Sequence, residues 1–461
     1  GSEATFVNAK GLIESTNQIG SELVTNGDFA TDSDWTKQTG WSINTITKVA
    51  ECDGTQSSDT LIYETSKTTI GVDYLVVFTV SSYTAGSVKS NLGSGVGITR
   101  SAVGTYSEVI TALENRDIYI QGNVDFVGSI DNVSVKEITT ATNTPRLDYS
   151  TGAEAFLLEP QSTNLITYSQ DLASLNIINN AVVTSNAIIS PSGLLDADEI
   201  TFDGTQYGRV EKTISATIGQ PYTISLYLKN KDLSDTTQVW IGFSQAGQGQ
   251  FVTITSEWQR YDVTTNANGT SEFPRIQFSG TGSLYAWGFQ TEQQSYATSY
   301  IPTSGASATR NQETCVNATP VINSTEGTLY AEVAALANDG TSRSIALSDG
   351  TNNNRILFRY DSGNRLRFFV ISGGAIQASE TFTTDILNNL KFALKWKLND
   401  FAVWVNGVEV DTDTIGNTPI GLSELSFDNG SGSQFFFGNT RGLKVYPEAL
   451  ADVQLEDLTK I

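Results

Sequence analysis

TTIGVDYLVVFTV, residues 68–80, decides how this chain is read, because the chain contains it twice. ATIGQPYTISLYL, residues 216–228, repeats its spacing and character: a Thr-Ile-Gly turn, then a tyrosine within a strand of alternating pattern. Downstream of each copy, VGTYSEVITA (103–112) is answered by SEWQRYDVTT (256–265). Further on, GSIDNVSVKEI (128–138) is answered by GSLYAWGFQTE (282–292). Three matches in one order at nearly equal spacing define two copies of a strand-rich unit. Each copy is far longer than the period of about 20–50 residues that marks a solenoid, so each reads as a β-sandwich.

Working outward, DIYIQG (117–122), RILFRY (355–360) and FAVWVNG (401–407) carry the same strand signature. From about Val321 a meander of such runs forms a third unit. The segment 447–458 is the one helical stretch, opening on Pro447 with Leu450, Val453, Leu455 and Leu458 on one face. The expected fold class is all-β: three β-sandwich domains and a short C-terminal helix, which suits 461 residues.

Composition narrows the chemistry. A net charge of −23 repels phosphate backbones and disfavours nucleic acid as a partner. The acidity fits a soluble extracellular surface, or carboxylates that hold calcium. There is no histidine, which removes the commonest general base, the Ser-His and Cys-His pairs and most zinc chemistry. Carboxylate-pair glycosidases and Tyr- or Lys-based lyases stay open. Cys52 and Cys315 fall in different expected domains and read as free thiols. No apolar run approaches the roughly 18 residues of a membrane span, so membrane insertion is not expected. Gly1-Ser2 looks like a cloning scar and methionine is absent, which suggests a fragment of a longer protein.

The first copy resembles a family of carbohydrate-binding modules with a jelly-roll fold. The residues that carry the resemblance are Asn26-Gly27-Asp28-Phe29 with Trp35, Gly71 to Tyr74, Tyr106 to Val109, and Ile130 to Val133. The second copy matches more loosely: NLITYSQDL (164–172) stands in the place of the NGDF stretch, and Tyr285-Ala286 replaces the Asp-Asn pair. The third unit resembles concanavalin A-like or laminin-G-like sandwiches. ATFVNAKGLIES (4–15), the stretch 144–169 and SYATSYIPTSGASATR (295–310) look like connecting sequence of bacteriophage tail fibres and other virion appendages. There, VNAKGLIE-like and PRLDY-like stretches lie close together, whereas here the first module separates them. The expected division is therefore a connecting segment 1–20 pairing with 142–160, an inserted jelly roll 21–141, a second jelly roll with connecting segments 142–312, and a concanavalin A-like domain 313–461.

Candidate site residues follow from these placements. A sugar presents an apolar CH face that stacks on an exposed aromatic ring beside amide or carboxylate partners. Trp41, Tyr63 and Gln121 are the candidates in the first module, and Tyr207, Trp240 and Gln277 in the second. Phe29 and Trp35 are expected inside, as are Trp258 and Trp287, whose neighbours are apolar at period two. Trp396 and Trp404 are expected buried or half-buried. The family resemblance implies a structural calcium tying the N-terminal stretch to the closing strand, with Asp28 and Asp131 at the matching positions. A solvated Asx turn is the alternative. In the third domain, Asp349, Asn352 to Asn354 and Asp361 read as hairpin-turn chemistry or as a calcium-assisted rim site. Arg355, Arg359, Arg365 and Arg367 form the one basic cluster, either paired across strands with acids or facing an acidic glycan. Asp196 and Asp198 form a carboxylate pair that nothing marks as an acid and base.

The expected function is a glycan-binding adhesin fragment of a phage tail fibre or similar appendage, located in the virion and extracellular. Its partners would be a bacterial surface polysaccharide and other appendage proteins, with a homotrimer as a possible assembly. A polysaccharide depolymerase or lyase is the enzymatic alternative, and a ligand-free spacer the structural one.

Overall fold

The computed structural model describes residues 4–16, 18–139, 146–233, 238–244, 247–315 and 318–461; Gly1, Ser2 and the ends of the segments expected to pair fall partly outside these. The chain is all-β, with one short α-helix among the described residues.

Each repeat copy is a sandwich of two sheets. In the first, a long-stranded sheet runs in the order Gly104–Thr111, Asp73–Ala85, Val127–Thr139, Val49–Asp53, Trp41–Asn44, with Gln18–Glu22 also pairing with Val127–Thr139. In the second, the order is Gln259–Asn266, Pro221–Asn230, Thr281–Glu292, Leu195–Asp203, Val182–Ile189. The three sequence matches thus occupy the same three adjacent places in both sheets. The opposing short-stranded sheets also correspond. Gly95–Val96, Val88–Leu92, Ile118–Gly122, Thr60–Glu64, Thr36–Lys37 is matched by Gly249–Thr253, Gln238–Gly242, Arg275–Phe278, Gly208–Glu211, Asn176–Ile178. Period-two alternation turns one side of the central strands inward, as with Ile62, Ile118 and Ile120 in the first core and Val210, Ile241 and Ile276 in the second.

The third sandwich differs from the expected division in an instructive way. Its seven-stranded sheet begins with Leu147–Asp148 and Ala155–Leu158, which join Gly438–Tyr446, Glu326–Ala335, Leu390–Lys397, Asp400–Val405 and Val408–Asp413. Residues 147–158 therefore belong to the third sandwich and not to the second module, with Phe156 pairing with Thr440 and Leu158 with Gly438. The second module leaves this sheet after Leu158 and returns through Ser162–Asn164 paired with Ala308–Arg310. The first module is likewise an excursion. The hairpin Thr5–Val7 with Ile13–Ser15 meets the far side of it, where Tyr149 N donates to Val7 O (2.9 Å) and Val7 N to Asp148 Oδ1 (2.8 Å). The hairpin also covers the second module's long-stranded sheet. Ile13 packs there with Trp287, Tyr300 and Ala197, beside Trp258, whose Nε1 donates to Ile189 O (3.0 Å).

The helix is shorter than the sequence pattern implies, at Asp452–Thr459. Residues 447–450 are held instead by the neighbouring strand: Thr328 Oγ1 donates to Glu448 O (3.2 Å), and Leu450 N donates to Thr328 Oγ1 (3.1 Å). Leu450 and Leu455 bury against Trp404 and Ala393, whereas Val453 faces out at 65% exposure. Trp396 is fully enclosed, its Nε1 donating to Asn323 O (3.1 Å).

A charged cluster closes the junction. Arg146 Nη2 meets Glu159 Oε2 at 2.7 Å and also Glu313, while Arg310 Nη1 meets the same Glu159 oxygen at 2.9 Å. Arg146 donates to Thr5 O (2.7 Å), Arg310 to Pro160 O (2.9 Å), and Glu159 accepts from Ser299 N (2.8 Å). Burial alone would raise the Glu159 carboxyl; the Arg310 and Arg146 charges and the Ser299 hydrogen bonds outweigh it and bring it down to about 2. A depressed carboxyl contributes stability that is complete above its unfolded value and is lost as pH falls through the folded one. Glu159→Gln should therefore cost about 3–5 kcal/mol at pH 7 by leaving buried Arg310 without an ionic partner and Arg146 with Glu313 alone, measured by urea unfolding. The gap between wild type and variant should shrink between about pH 4.5 and pH 2.

Candidate functional site

The outer faces of the two short-stranded sheets carry the side chains of interest. In the first module, Tyr63 lies directly opposite Tyr119, and Leu61 opposite Gln121. Alternation sends Ile62, Ile118 and Ile120 inward, so these four point outward, each half-buried. Asn91 and Lys89 extend the two rows on the next strand. With Gln38, Arg116 and Asp117, the four line a depression of about 350 Å³.

Its polar groups are held in place. Gln121 Nε2 donates to Asp59 Oδ2 (2.8 Å), and its Oε1 accepts from Asn91 Nδ2 (3.1 Å). Gln38 Oε1 accepts from Leu61 N (3.0 Å), and Asp117 Oδ1 from Ser66 N (3.0 Å). Asn91 Oδ1 is buried with no partner. Burial raises the Tyr119 hydroxyl, which keeps it a proton donor at neutral pH. Two phenol rings side by side, flanked by fixed amides, form a surface that takes an apolar ring face while hydrogen-bonding its hydroxyls.

Trp41 is not part of this surface. It pairs with Cys52, whose side chain is in the core, and cross-strand partners share a face; the indole is 6% exposed and packs against Phe126 at 5.9 Å. Trp35 and Phe29 are also inside, 5.4 Å apart, with Trp35 Nε1 donating to Asn26 O (3.1 Å).

In the second module the corresponding face has one row running Arg209, Gln277, Trp240, Phe251 across four strands. Trp240 and Phe251 meet edge to face at 5.3 Å, and Phe251 is 60% exposed. The indole lies close over Gly249, where an added Cβ would come within 2.7 Å of Trp240 Cζ2. Gln277 Oε1 accepts from Arg275 Nη1 (3.2 Å), which turns its amide NH₂ away from the arginine. Tyr207 is exposed but lies in the loop just before Gly208–Glu211, outside the row. Sequence reasoning missed Tyr119, Phe251 and Arg209. Tyr119 was within reach, since it stands two residues before Gln121 in a recognised strand.

The N-terminal stretch of the first module is fastened by backbone. Val133 N donates to Gly27 O (2.9 Å), and the approach is so close that a Cβ on Gly27 would sit 1.9 Å from Val133 O. Asp28 is exposed and accepts from Ala30 N (3.4 Å); Asp131 accepts from Asn132 N (2.7 Å) and Asn132 Nδ2 (3.0 Å). Among the described residues no group of three or more His, Asp, Glu or Cys side chains gathers at one place. In the third domain, Asp349 accepts from Thr351 N (2.9 Å) and Asn354 Nδ2 (2.9 Å), and Asp361 from Gly363 N (2.9 Å), each closing its own turn.

Of the Asp196–Asp198 pair, Asp196 is half-buried and Asp198 lies beneath the surface. Asp198 is fully enclosed, accepts from Leu172 N (2.7 Å) and Asn186 N (3.0 Å), and is pushed up to about 7 by burial. It holds the chain entering the module.

No protein-family model matches the chain, and neither does any curated protein. Solved structures give partial likenesses. The sialidase CBM40 of Ruminococcus gnavus is 14% identical with a TM-score of 0.26, over 30% of this chain and 84% of that one. A tandem of two CBM22 domains from Paenibacillus barcinonensis is 9% identical with a TM-score of 0.21, over 60% and 99%. Domains LG4-5 of the mouse laminin alpha1 chain give 9% and 0.21, over 60% and 95%.

The core and surface aromatic environments separate by measurement. Trp41→Ala should destabilise the first module by about 3–5 kcal/mol, as expected for a core aromatic. Tyr119→Ala should shift its urea midpoint by the equivalent of about 1 kcal/mol or less.

Proposed function

We propose that this chain is a glycan-binding adhesin segment, in which the two jelly-roll modules present the outer faces of their short-stranded sheets to a polysaccharide. The observation that carries the reading is the Tyr63–Tyr119 pair set beside a Gln121 amide fixed at both ends, with a second aromatic row, Trp240–Phe251, on the equivalent face of the other module. Each ring contributes roughly 0.5–1.5 kcal/mol, so one module alone binds a short glycan weakly. Two modules on one chain, or several chains on one appendage, raise avidity by about 10² to 10⁴ where the geometry lets sites engage together. The sequence resemblance to tail-fibre connecting segments supports placement in a virion appendage that attaches to bacterial surface polysaccharide. A binding role is favoured over cleavage because Asp59 and Asp117 at the rim are already acceptors for the chain's own donors.

Glycan-array binding followed by calorimetry on the full chain tests this reading. Tyr63→Ala with Tyr119→Ala, and separately Trp240→Ala with Phe251→Ala, should each weaken binding to a multivalent polysaccharide by about tenfold or more while melting stays near wild type. The combination of all four should abolish it. Unchanged binding by the quadruple variant would remove both faces as sites. Release of oligosaccharides by the wild-type chain would favour the depolymerase reading.

A further inference from the structure

The third sandwich carries a charged face that neither module's site uses. On the outer side of its five-stranded sheet, Arg359 lies opposite Arg367, Leu357 opposite Phe369, and Arg355 opposite Ile371. Ala346, Leu357, Phe369 and Ile371 form an apolar floor beneath them. Arg359 and Arg367 both lie over the Phe369 ring, at 5.1 and 4.7 Å from its centre, and the ring is only 7% exposed. The arginine stems roof the floor and hold the guanidinium groups along the sheet.

In a chain with 50 acidic and 27 basic residues, surface arginines have acids in plenty to pair with. Their neighbour Arg365 does so, meeting Asp361 at 2.7 Å. Among the described residues no carboxylate pairs with Arg355, Arg359 or Arg367. Arg355 donates to Asn352 Oδ1 (2.5 Å) and Asn429 O (2.6 Å), and Arg359 only to Gln434 Oε1 at 3.4 Å. The Nε of all three is buried without an acceptor. Burial first, and then a nearby arginine, weakens proton binding at Arg355 and at Arg359, with the Asp361 charge opposing this at Arg359. Neighbouring like charges cost stability, and an anion seated on the face against the outer guanidinium nitrogens offsets that cost.

We propose that this face is a third binding site, selective for a carboxylate-bearing polysaccharide. One carboxylate sits between Arg359 and Arg367, whose planar donor forks suit it. A second reaches Arg355, four residues along the same strand and so roughly 13 Å away at about 3.3 Å per residue. Two separated cationic points on an open sheet face call for a polymer with spaced carboxylates and not for one small anion. A neutral glycan leaves the donors unmet. A nucleic acid brings a continuous run of charge against a chain of net charge −23.

The experiment uses the full chain with polygalacturonate as the probe and its methyl ester as the neutral control, followed by affinity electrophoresis at low and high salt. Wild type should be retarded by polygalacturonate, less so at high salt, and not by the ester. Arg359→Gln with Arg367→Gln should weaken the retardation tenfold or more, Arg355→Gln should weaken it less, and Arg365→Gln should leave it unchanged. Arg355→Gln, which leaves the pair over Phe369 intact, keeps the test decisive if the double variant fails to fold. The module-face variants should retain this binding, which separates its failure from failure of the aromatic sites. Equal retardation of wild type and folded arginine variants would overturn the proposal. So would absence of wild-type binding to polygalacturonate, alginate and polysialic acid alike, or tighter binding to double-stranded DNA than to any of them.

Discussion

The buried cluster of Arg146, Glu159, Arg310 and Glu313 is the constraint on which the architecture depends. Its members come from the segment after the first module, the strand exit before the second, the return strand of the second, and the entry into the third sandwich. Removing four charged groups from water is costly, and only close pairing with further hydrogen bonds offsets it. Here Thr5 O, Pro160 O and Ser299 supply those bonds, so the cluster also ties in the N-terminal hairpin and the second module. The cost of closing a loop grows only slowly with its length. Once its ends are clamped, a sheet therefore tolerates the excursion of a whole domain. The third sandwich does so for the second module, and the hairpin with residues 146–149 does so for the first.

The two modules share a strand order in both sheets and differ in what the outer face displays. The first places its aromatics on Thr60–Glu64 and Ile118–Gly122; the second places them on Gln238–Gly242 and Gly249–Thr253, and Arg209 opposite Gln277 stands where the first has Leu61 opposite Gln121. Outward positions of a sheet are free of the packing that fixes the core, so one framework carries different surfaces. Faces built from different side chains on one chain suit a polymer that offers several chemical features along its length.

Much of the fold was legible because it rests on short-range pattern. Period-two alternation marked the strands, and the repeated Thr-Ile-Gly-to-strand pattern placed Asp73–Ala85 and Pro221–Asn230 at equivalent positions. Tyr63 opposite Tyr119 and Trp240 opposite Gln277 follow from the same alternation once the partner strands are known. Trp41 was not legible. A four-residue strand can present either side inward, and only its pairing with Cys52 fixes which. The helix start was misread because Pro447 and Leu450 fit a helix locally, whereas Thr328, more than a hundred residues away, holds residues 447–450 outside it.

By itself, the sequence determined the all-β class, the duplication, the absence of histidine chemistry and the outward side of the longer strands, since each depends on composition or on neighbours a few residues apart. The tertiary structure alone decided that residues 147–158 complete the third sandwich, that Glu159 is shared by two arginines 164 positions apart in number, 146 and 310, and that, among the described residues, Arg365 has a carboxylate partner while Arg359 and Arg367 have none. Strand partners and ion pairs join residues that are remote along the chain. Local sequence does not encode which remote segment arrives, because burial energy rewards any complementary partner and the choice is settled only by the packing of the whole.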